Sequence, residues 1–328
     1  MGKIKKFSRG SRSAISDPQI EDYCQAYVWP YLAQTQQIRK PYSLLTISDT
    51  HATFLDPFVW ASFLTAIQVL KPDGVCFNGD TLEGSELSGY TKIPGWTIPL
   101  QLEFDFQREM VKQVRRVHDG DFFVGAGNHG LDRLVKYLAS DARALASLDC
   151  VRIDKLMGLE DFDVQLMQHG NRFSPKNEEH ELPGFLLNDH FYIYHGTAVA
   201  KHSAYAELSK IGWSGMSGHI HRAQVFYGGT MRHPAINWMS LPCGCTDKAA
   251  ASYIRAPYTG WQKGFGYTEV HPNGHVYQTP AVEHHGTISV QGLVLNRPAG
   301  LPDGDPQLNW LKGFTLKEHG PKCRPLHR

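Results

Sequence analysis

Three observations predict a mixed α/β fold. Short apolar runs at Leu44, Leu45 and Ile47, at Val75–Phe77 and at Phe122–Val124 each stop at a polar loop. Stretches of helical period separate them, and the second half of the chain is rich in strand patterning. A buried strand, a polar loop and an amphipathic helix, repeated, form the pattern from which parallel sheets are built.

Each element has its own signal. Residues 1–18 read as a basic arm, and 19–36 as a helix that turns Tyr23, Tyr27 and Leu32 toward the body and is interrupted at Pro30. Residues 56–70 place Phe63, Ile67 and Leu70 at helical spacing. Residues 102–118 put Phe106, Met110, Val114 and Val117 on one face, and a further helix is predicted over 131–147. Residues 185–194 predict a hairpin around Asn188-Asp189. Strands are predicted over 223–227, 235–241 and 265–270, and the last turns at His271-Pro272-Asn273-Gly274 into 275–279. A single strand over 287–295 follows, then a loosely packed tail with one apolar patch at Trp310-Leu311. The chain therefore divides into an N-terminal arm and helix (1–40), a main domain (41–295) and a C-terminal tail (296–328).

Composition excludes more than it selects. Among 328 residues, 33 Lys and Arg balance 32 Asp and Glu, so no global field favours nucleic acid or a membrane surface. The basic stretch at 1–13 is followed by no apolar core, and no run approaches the ~20 apolar residues of a membrane span. A cytoplasmic protein without a membrane partner is expected. The cysteines at 24, 76, 150, 243, 245 and 323 form no CxxC pair and are expected to be reduced thiols. Cys243 and Cys245 flank one glycine, which puts them on one face of a strand or in a turn.

Five polar clusters follow the apolar runs or a small-residue turn: Asp49-Thr50-His51, Gly79-Asp80, Gly127-Asn128-His129, His195-Gly196 and Gly218-His219-Ile220-His221. In open α/β sheets ligands gather beyond the carboxyl ends of strands, so these clusters should meet on one edge. Their chemistry suits a pair of cations. A hydrolytic dinuclear site holds its metals ~3.5–4 Å apart and needs a short carboxylate to bridge them, for which Asp80 is the candidate. Imidazoles favour transition metals, and the amide oxygen of Asn128 adds a donor without adding charge. Alone, Asp49 and His51 would be a helix-capping turn with a surface histidine, and His219 and His221 paired loop histidines. Five clusters in order, each at such a position, outweigh that reading. His195 is preferred to His190 because an apolar run precedes it and a glycine follows. His169, His180, His202 and His233 are read as ordinary histidines.

The set, in this order over residues 49–221, resembles the calcineurin-like metallophosphoesterase superfamily, whose motifs read D-x-H, GD, GNH, H and GHxH. The resemblance implies a four-layer sandwich with two central mixed β-sheets flanked by helices. It implies two divalent metal ions, manganese first, with iron, zinc, nickel or magnesium as the others. Asp49, His51 and His221 would hold one ion, Asn128, His195 and His219 the other, and Asp80 both. His129 would contact the phosphate and assist the leaving group, with Asn128 stabilising charge on the phosphoryl oxygens. The implied reaction is hydrolysis of a phosphate ester through a bridging hydroxide. One position departs from the pattern: Gly130 follows His129 where the family often carries an acidic residue, and Asp132 is the candidate substitute.

Among substrates, a phosphodiester is expected first, with nucleic acid or a nucleotide included. Lys112, Arg115 and Arg116 offer local charge, and Tyr90, Lys92 and Trp96 lie in a long loop over 81–101. A second polar insertion spans 170–184. The alternatives are a phosphomonoesterase acting on a protein or small molecule, a cyclic-nucleotide or dinucleotide hydrolase, and a non-catalytic scaffold on the same fold. Lys263 is read as leading into a core strand rather than steering phosphate.

Overall fold

Alternation along three strands sets the layering. In the computed structural model these are β1 (Tyr42–Ile47), β2 (Gly74–Asn78) and β3 (Asp121–Gly125), paired in parallel. Successive side chains of a strand point to opposite faces. Leu45, Ile47, Val75, Phe77, Phe122 and Val124 face helices α1 (Pro57–Leu70) and α2 (Leu100–Arg115). Leu44, Cys76 and Phe123 face the other way and join a separate core. The structure describes residues 40–89, 98–125, 127–167, 184–187, 190–229, 231, 233–252, 260–301, 311–312 and 314–325. Chain contacts divide Met1–Lys40 from Pro41–Arg328, and the fold is that of the second unit. The predicted arm, the 19–36 helix, Tyr90, Lys92, Trp96, His169, His180, the Asn188-Asp189 turn, Trp310 and all but the end of the 170–184 insertion lie outside the described residues.

The first sheet has the order β11-β10-β1-β2-β3-β4, adding β4 (Gln165–Met167), β10 (Gly264–Val270) and β11 (Val276–Val282). The second has the order β5-β6-β7-β9-β8, from β5 (Phe185–Leu187), β6 (Phe191–Ile193), β7 (Ser214–Ser217), β8 (Gln224–Gly228) and β9 (Ile236–Ser240). Both are mixed, with β6, β7 and β9 parallel and the outer pairs antiparallel. Phe191, Ile193, Met216 and Met239 of the second sheet pack against Leu44, Cys76 and Phe123 of the first. Trp238 and Ile236 face outward to Ala204, Leu208 and Ile211 of helix α5 (Ser203–Ile211), the next helix in the chain after the short α4 (Ile153–Met157). Helices, sheet, sheet and helix make the four layers of the predicted α/β sandwich. Among the described residues, no helix is long and apolar enough to cross a membrane.

Local chemistry fixes the element ends. Asp56 caps α1 by accepting from the Phe58 and Val59 amides at 2.9 and 3.2 Å, with Pro57 at the first helical position. Its other oxygen holds the Lys263 ammonium at 3.0 Å. Phe77 anchors the inner helical layer, with ring centroids of Phe122, Trp60 and Phe63 at 4.9, 6.0 and 6.4 Å. Truncating such a ring costs about 3–5 kcal/mol.

Three expectations need correction. The predicted 131–147 helix is a π-helical turn at Gly127–Asp132 followed by α3 (Arg133–Ser140). The Ser140 hydroxyl bonds back to the Lys136 carbonyl at 2.8 Å and the chain leaves helical geometry at Ala142, so the helix stops there. The single strand over 287–295 is a hairpin of β12 (Thr287–Val290) and β13 (Leu293–Asn296). Gln291 and Gly292 both have positive φ, as a type I′ turn requires. The chain beyond 296 is partly packed. Leu301, Leu311 and Phe314 are buried in the main core, the Gln113 amide donates to the Leu311 carbonyl at 2.6 Å, and β14 (Lys322–Pro325) pairs with β13.

Candidate metal centre

The five predicted clusters meet where the carboxyl ends of both sheets' parallel strands come together. Asp49 and His51 follow β1, Asp80 follows β2, Asn128 and His129 follow β3, His195 follows β6, and His219 and His221 follow β7. The loops are stitched by backbone hydrogen bonds. The amides of Asp49, His51 and Ala52 donate to the carbonyls of Gly79, Asp80 and Thr81 at 3.1, 2.9 and 2.7 Å, and the Gly218 amide donates to the His195 carbonyl at 2.9 Å. The Asn78 amide crosses between sheets to the Tyr194 carbonyl at 3.1 Å.

Backbone strain concentrates here. Asp49, His51, Asp80, His219 and His221 all have φ between 44° and 73°. Non-glycine residues avoid this region, and each such residue costs on the order of 1–3 kcal/mol unless the surroundings enforce it. Gly127 shows how tight the approach is, since a Cβ there would stand 2.1 Å from the Asp80 nitrogen.

Donor atoms gather in two groups that share Asp80. Asp49, His51 and Asp80 form one, and Asp80, His195 and His219 the other, each with donors within 4.8 Å of one another. The edges are short: His51 Nε2 to His221 Nε2 is 3.3 Å and His221 Nε2 to Asp49 Oδ1 is 3.1 Å. His219 Nδ1 to Asn128 Oδ1 is 3.0 Å, and His195 Nε2 to Asp80 Oδ2 is 2.9 Å. Donors ~2.0–2.1 Å from one ion at cis or tetrahedral angles stand about 2.9–3.4 Å apart, so this set fits a cation.

Two tautomers support that fit. The His51 Nδ1–H donates to Glu83 Oε2 at 2.8 Å and the His195 Nδ1–H to the Asn78 carbonyl at 3.0 Å. Each bond orients the ring with Nε2 toward the centre, where a cation would take the place of a proton, the arrangement common among metal-bound histidines. His195 Nε2 stands 2.9 Å from Asp80 Oδ2.

The electrostatics fit as well. Burial raises the cost of charge on Asp49 and Asp80, yet His221 and His195 hold the Asp49 carboxyl, and His195 and His129 the Asp80 carboxyl, well below the usual range. Burial opposes charge on His195, but Asp80 and Asp49 outweigh it and push the imidazole up to about 10. The buried carboxylates concentrate negative charge that a dication would balance.

Several residues were not singled out by the sequence. Glu83, buried in the loop after β2, sits 2.8 Å from His51 Nδ1 and 3.4 Å from His129 Nδ1. Burial works against its charge, but His129 and His51 hold it down to about 2. It gives His129 an acidic neighbour although Gly130 follows that histidine in the chain. Burial likewise disfavours charge on His129, and Asp80 and Glu83 reverse this and raise it. Arg133 donates to the Glu83 carbonyl and places Nη2 3.4 Å from His129 Nε2. Trp261 lies against His221, with ring centroids 4.0 Å apart. Two further donor groups share His51, one with Glu83 and His129 and one with His221 and Cys245. Burial and the adjacent Cys243 push its thiol well above its ordinary value.

Other residues stay apart. His190 sits at the β5–β6 turn beside Gly274, and His202 precedes α5. Lys263 is held by Asp56. Arg115 spends its guanidinium on the carbonyls of Phe162, Gly120 and Asp163 at 2.8, 2.6 and 2.5 Å, while Lys112 and Arg116 both face Glu109 at 3.9 and 3.8 Å.

The fold and centre define a mixed α/β sandwich with buried histidine and aspartate groups compatible with a metal site. No family model matches the sequence, and no curated protein matches it. TT1561 of Thermus thermophilus is a solved structure that aligns over 73% of this chain and 99% of its own, at 8% identity and a TM-score of 0.36. A second solved structure aligns over 73% and 99%, at 11% identity and a TM-score of 0.29. Likenesses this weak carry no argument about function.

Proposed function

We propose that this chain is a metal-dependent phosphodiesterase of the calcineurin-like metallophosphoesterase type. The carrying observation is the place of Asp80, a buried carboxylate common to both donor groups. Asp49, His51, Asp80 and His221 would hold one cation, and Asp80, Asn128, His195 and His219 the other. When bound, the pair would lower the pKa of water and offset charge on the phosphoryl oxygens.

The chain's own residues account for the rest. Asp80 and Glu83 favour a proton on His129, and Glu83 Oε2 stands 3.4 Å from its Nδ1. His129 serves as general acid to the departing alkoxide. The Asn128 amide lies against the phosphoryl oxygens, and Arg133 sets one guanidinium beside His129. One fixed cation suits a singly charged diester better than a doubly charged monoester. A nucleotide or nucleic-acid strand belongs to that class.

The test is hydrolysis of bis-p-nitrophenyl phosphate against p-nitrophenyl phosphate with added manganese or zinc. The expected result is diester preference, lost with chelator. Monoester preference would make the chain a phosphatase, and absence of turnover with every metal would favour a scaffold.

A further inference from the structure

We propose that Cys245 is a thiolate ligand to the cation held by Asp49, His51, Asp80 and His221, making that half of the centre selective for a soft dication such as zinc or iron. The inference rests on the dinuclear reading and goes beyond its seven donors.

The chain after β9 is laid directly into the site. The Gly244 amide donates to the Ser48 carbonyl at 2.7 Å, the Asp56 amide to the Gly244 carbonyl at 2.8 Å, and the Thr246 amide to the Phe54 carbonyl at 2.8 Å. Cys245 itself bridges Leu55 in antiparallel fashion. Only glycine permits this approach at 244, where a Cβ would meet Thr50 Cγ2 at 2.7 Å and Ile47 Cδ1 at 2.9 Å. The path carries the Cys245 sulfur, fully buried, to within 4.8 Å of ring nitrogens of both His51 and His221.

Cys243 is not an equivalent choice. Its sulfur faces the carbonyls of Gln262 and Cys245 at 3.4 and 3.8 Å, and it enters no donor group among the described residues. The competing role for Cys245 is as a small apolar filler, since it also packs in a minor core with Phe54 and Ala249. A filler has no need of two imidazoles; a thiolate donor does.

The chemistry balances simply. The thiol proton leaves to solvent as a sulfur–metal bond forms, since a dication against a thiol deprotonates it outright. Thiolate with imidazole favours zinc or iron, whereas the other half, with imidazoles, an amide and a carboxylate and no sulfur, admits manganese as well. The pair would then be chemically unlike.

The experiment loads the full chain with cobalt(II) for absorption spectra and with zinc for X-ray absorption. Ligation predicts a near-ultraviolet thiolate-to-cobalt band and a sulfur shell about 2.3 Å from zinc. Both should persist in Cys243→Ser and vanish in Cys245→Ser, whose metal affinity should fall about 10–100-fold, the scale seen when even a ligand's hydrogen-bond partner is lost. The wild-type zinc spectrum needs no substitution, so a misfolded variant does not blunt the test. Bound metal with only nitrogen and oxygen neighbours would overturn thiolate ligation and leave the dinuclear reading standing. Failure to bind any metal would overturn both.

Discussion

Asp49, His51, His221 and Cys245 are all but closed to solvent, at 0–4% exposure, whereas Asn128, His129 and His219 keep part of their surface open and only His195 beside them is closed. The two halves share Asp80 but have different surroundings. The sealed half lies against Trp261 and the Cys243-Gly244-Cys245 segment. The open half stands on a π-helical turn, a geometry frequent at functional sites, with Arg133 just beyond. On the proposed reading, burial of this kind favours holding a cation tightly, and partial exposure would admit a phosphate ester. The centre would then divide into a half built for affinity and a half built for chemistry.

Asp80→Asn tests the junction and should have the largest effect. Diester hydrolysis should disappear and bound metal should fall, as measured by elemental analysis, while circular dichroism stays that of a folded chain. Full metal content with activity intact would break the division. His129→Ala tests the open half alone. Its rate should drop by about 10²–10⁴, the usual worth of a positioned acid, with metal content unchanged. Loss of a metal would show that His129 is a ligand instead. Glu83→Gln touches both halves through His51 and His129, and should lower metal affinity or rate by about 10–100-fold.

Protons give a further handle. In the metal-free chain the His195 imidazole is raised from 6.5 to about 10. A raised folded-state value stabilises fully below the unfolded one and is lost as pH rises through the folded one. The metal-free melting temperature should therefore decline from about pH 6.5 to about pH 10, and metal should flatten that slope by replacing the proton. An equally steep slope with metal bound would place His195 outside the coordination shell. The smallest effect is expected at a residue outside the donor set. Asp56→Ala removes the α1 cap and should cost about 0.5–2 kcal/mol in denaturant unfolding, leaving metal content untouched.

Legibility followed the physics of each element. Strands β1, β2 and β3 were plain because their runs of Leu, Val and Phe are buried on both faces. Strand β7 was not, because Ser-Gly-Met-Ser carries no apolar period. Its backbone fits because Gly215 packs where a Cβ would meet Trp238 at 2.4 Å and the Tyr192 carbonyl at 2.6 Å. The β12–β13 hairpin was hidden because Gln-Gly is a weak turn signal and the run around it is apolar.

The amino-acid order by itself determined the two-sided strands, the amphipathic helices and the five polar clusters that follow strands, because each of these is a local pattern of residue type and spacing. Tertiary structure alone decided that Glu83 stands beside His129, that Arg133 flanks it, and that the Cys245 sulfur joins the imidazoles of His51 and His221. Those choices depend on how loops from two sheets cross in space, and contacts between loops distant in sequence leave no period along the chain from which to read them.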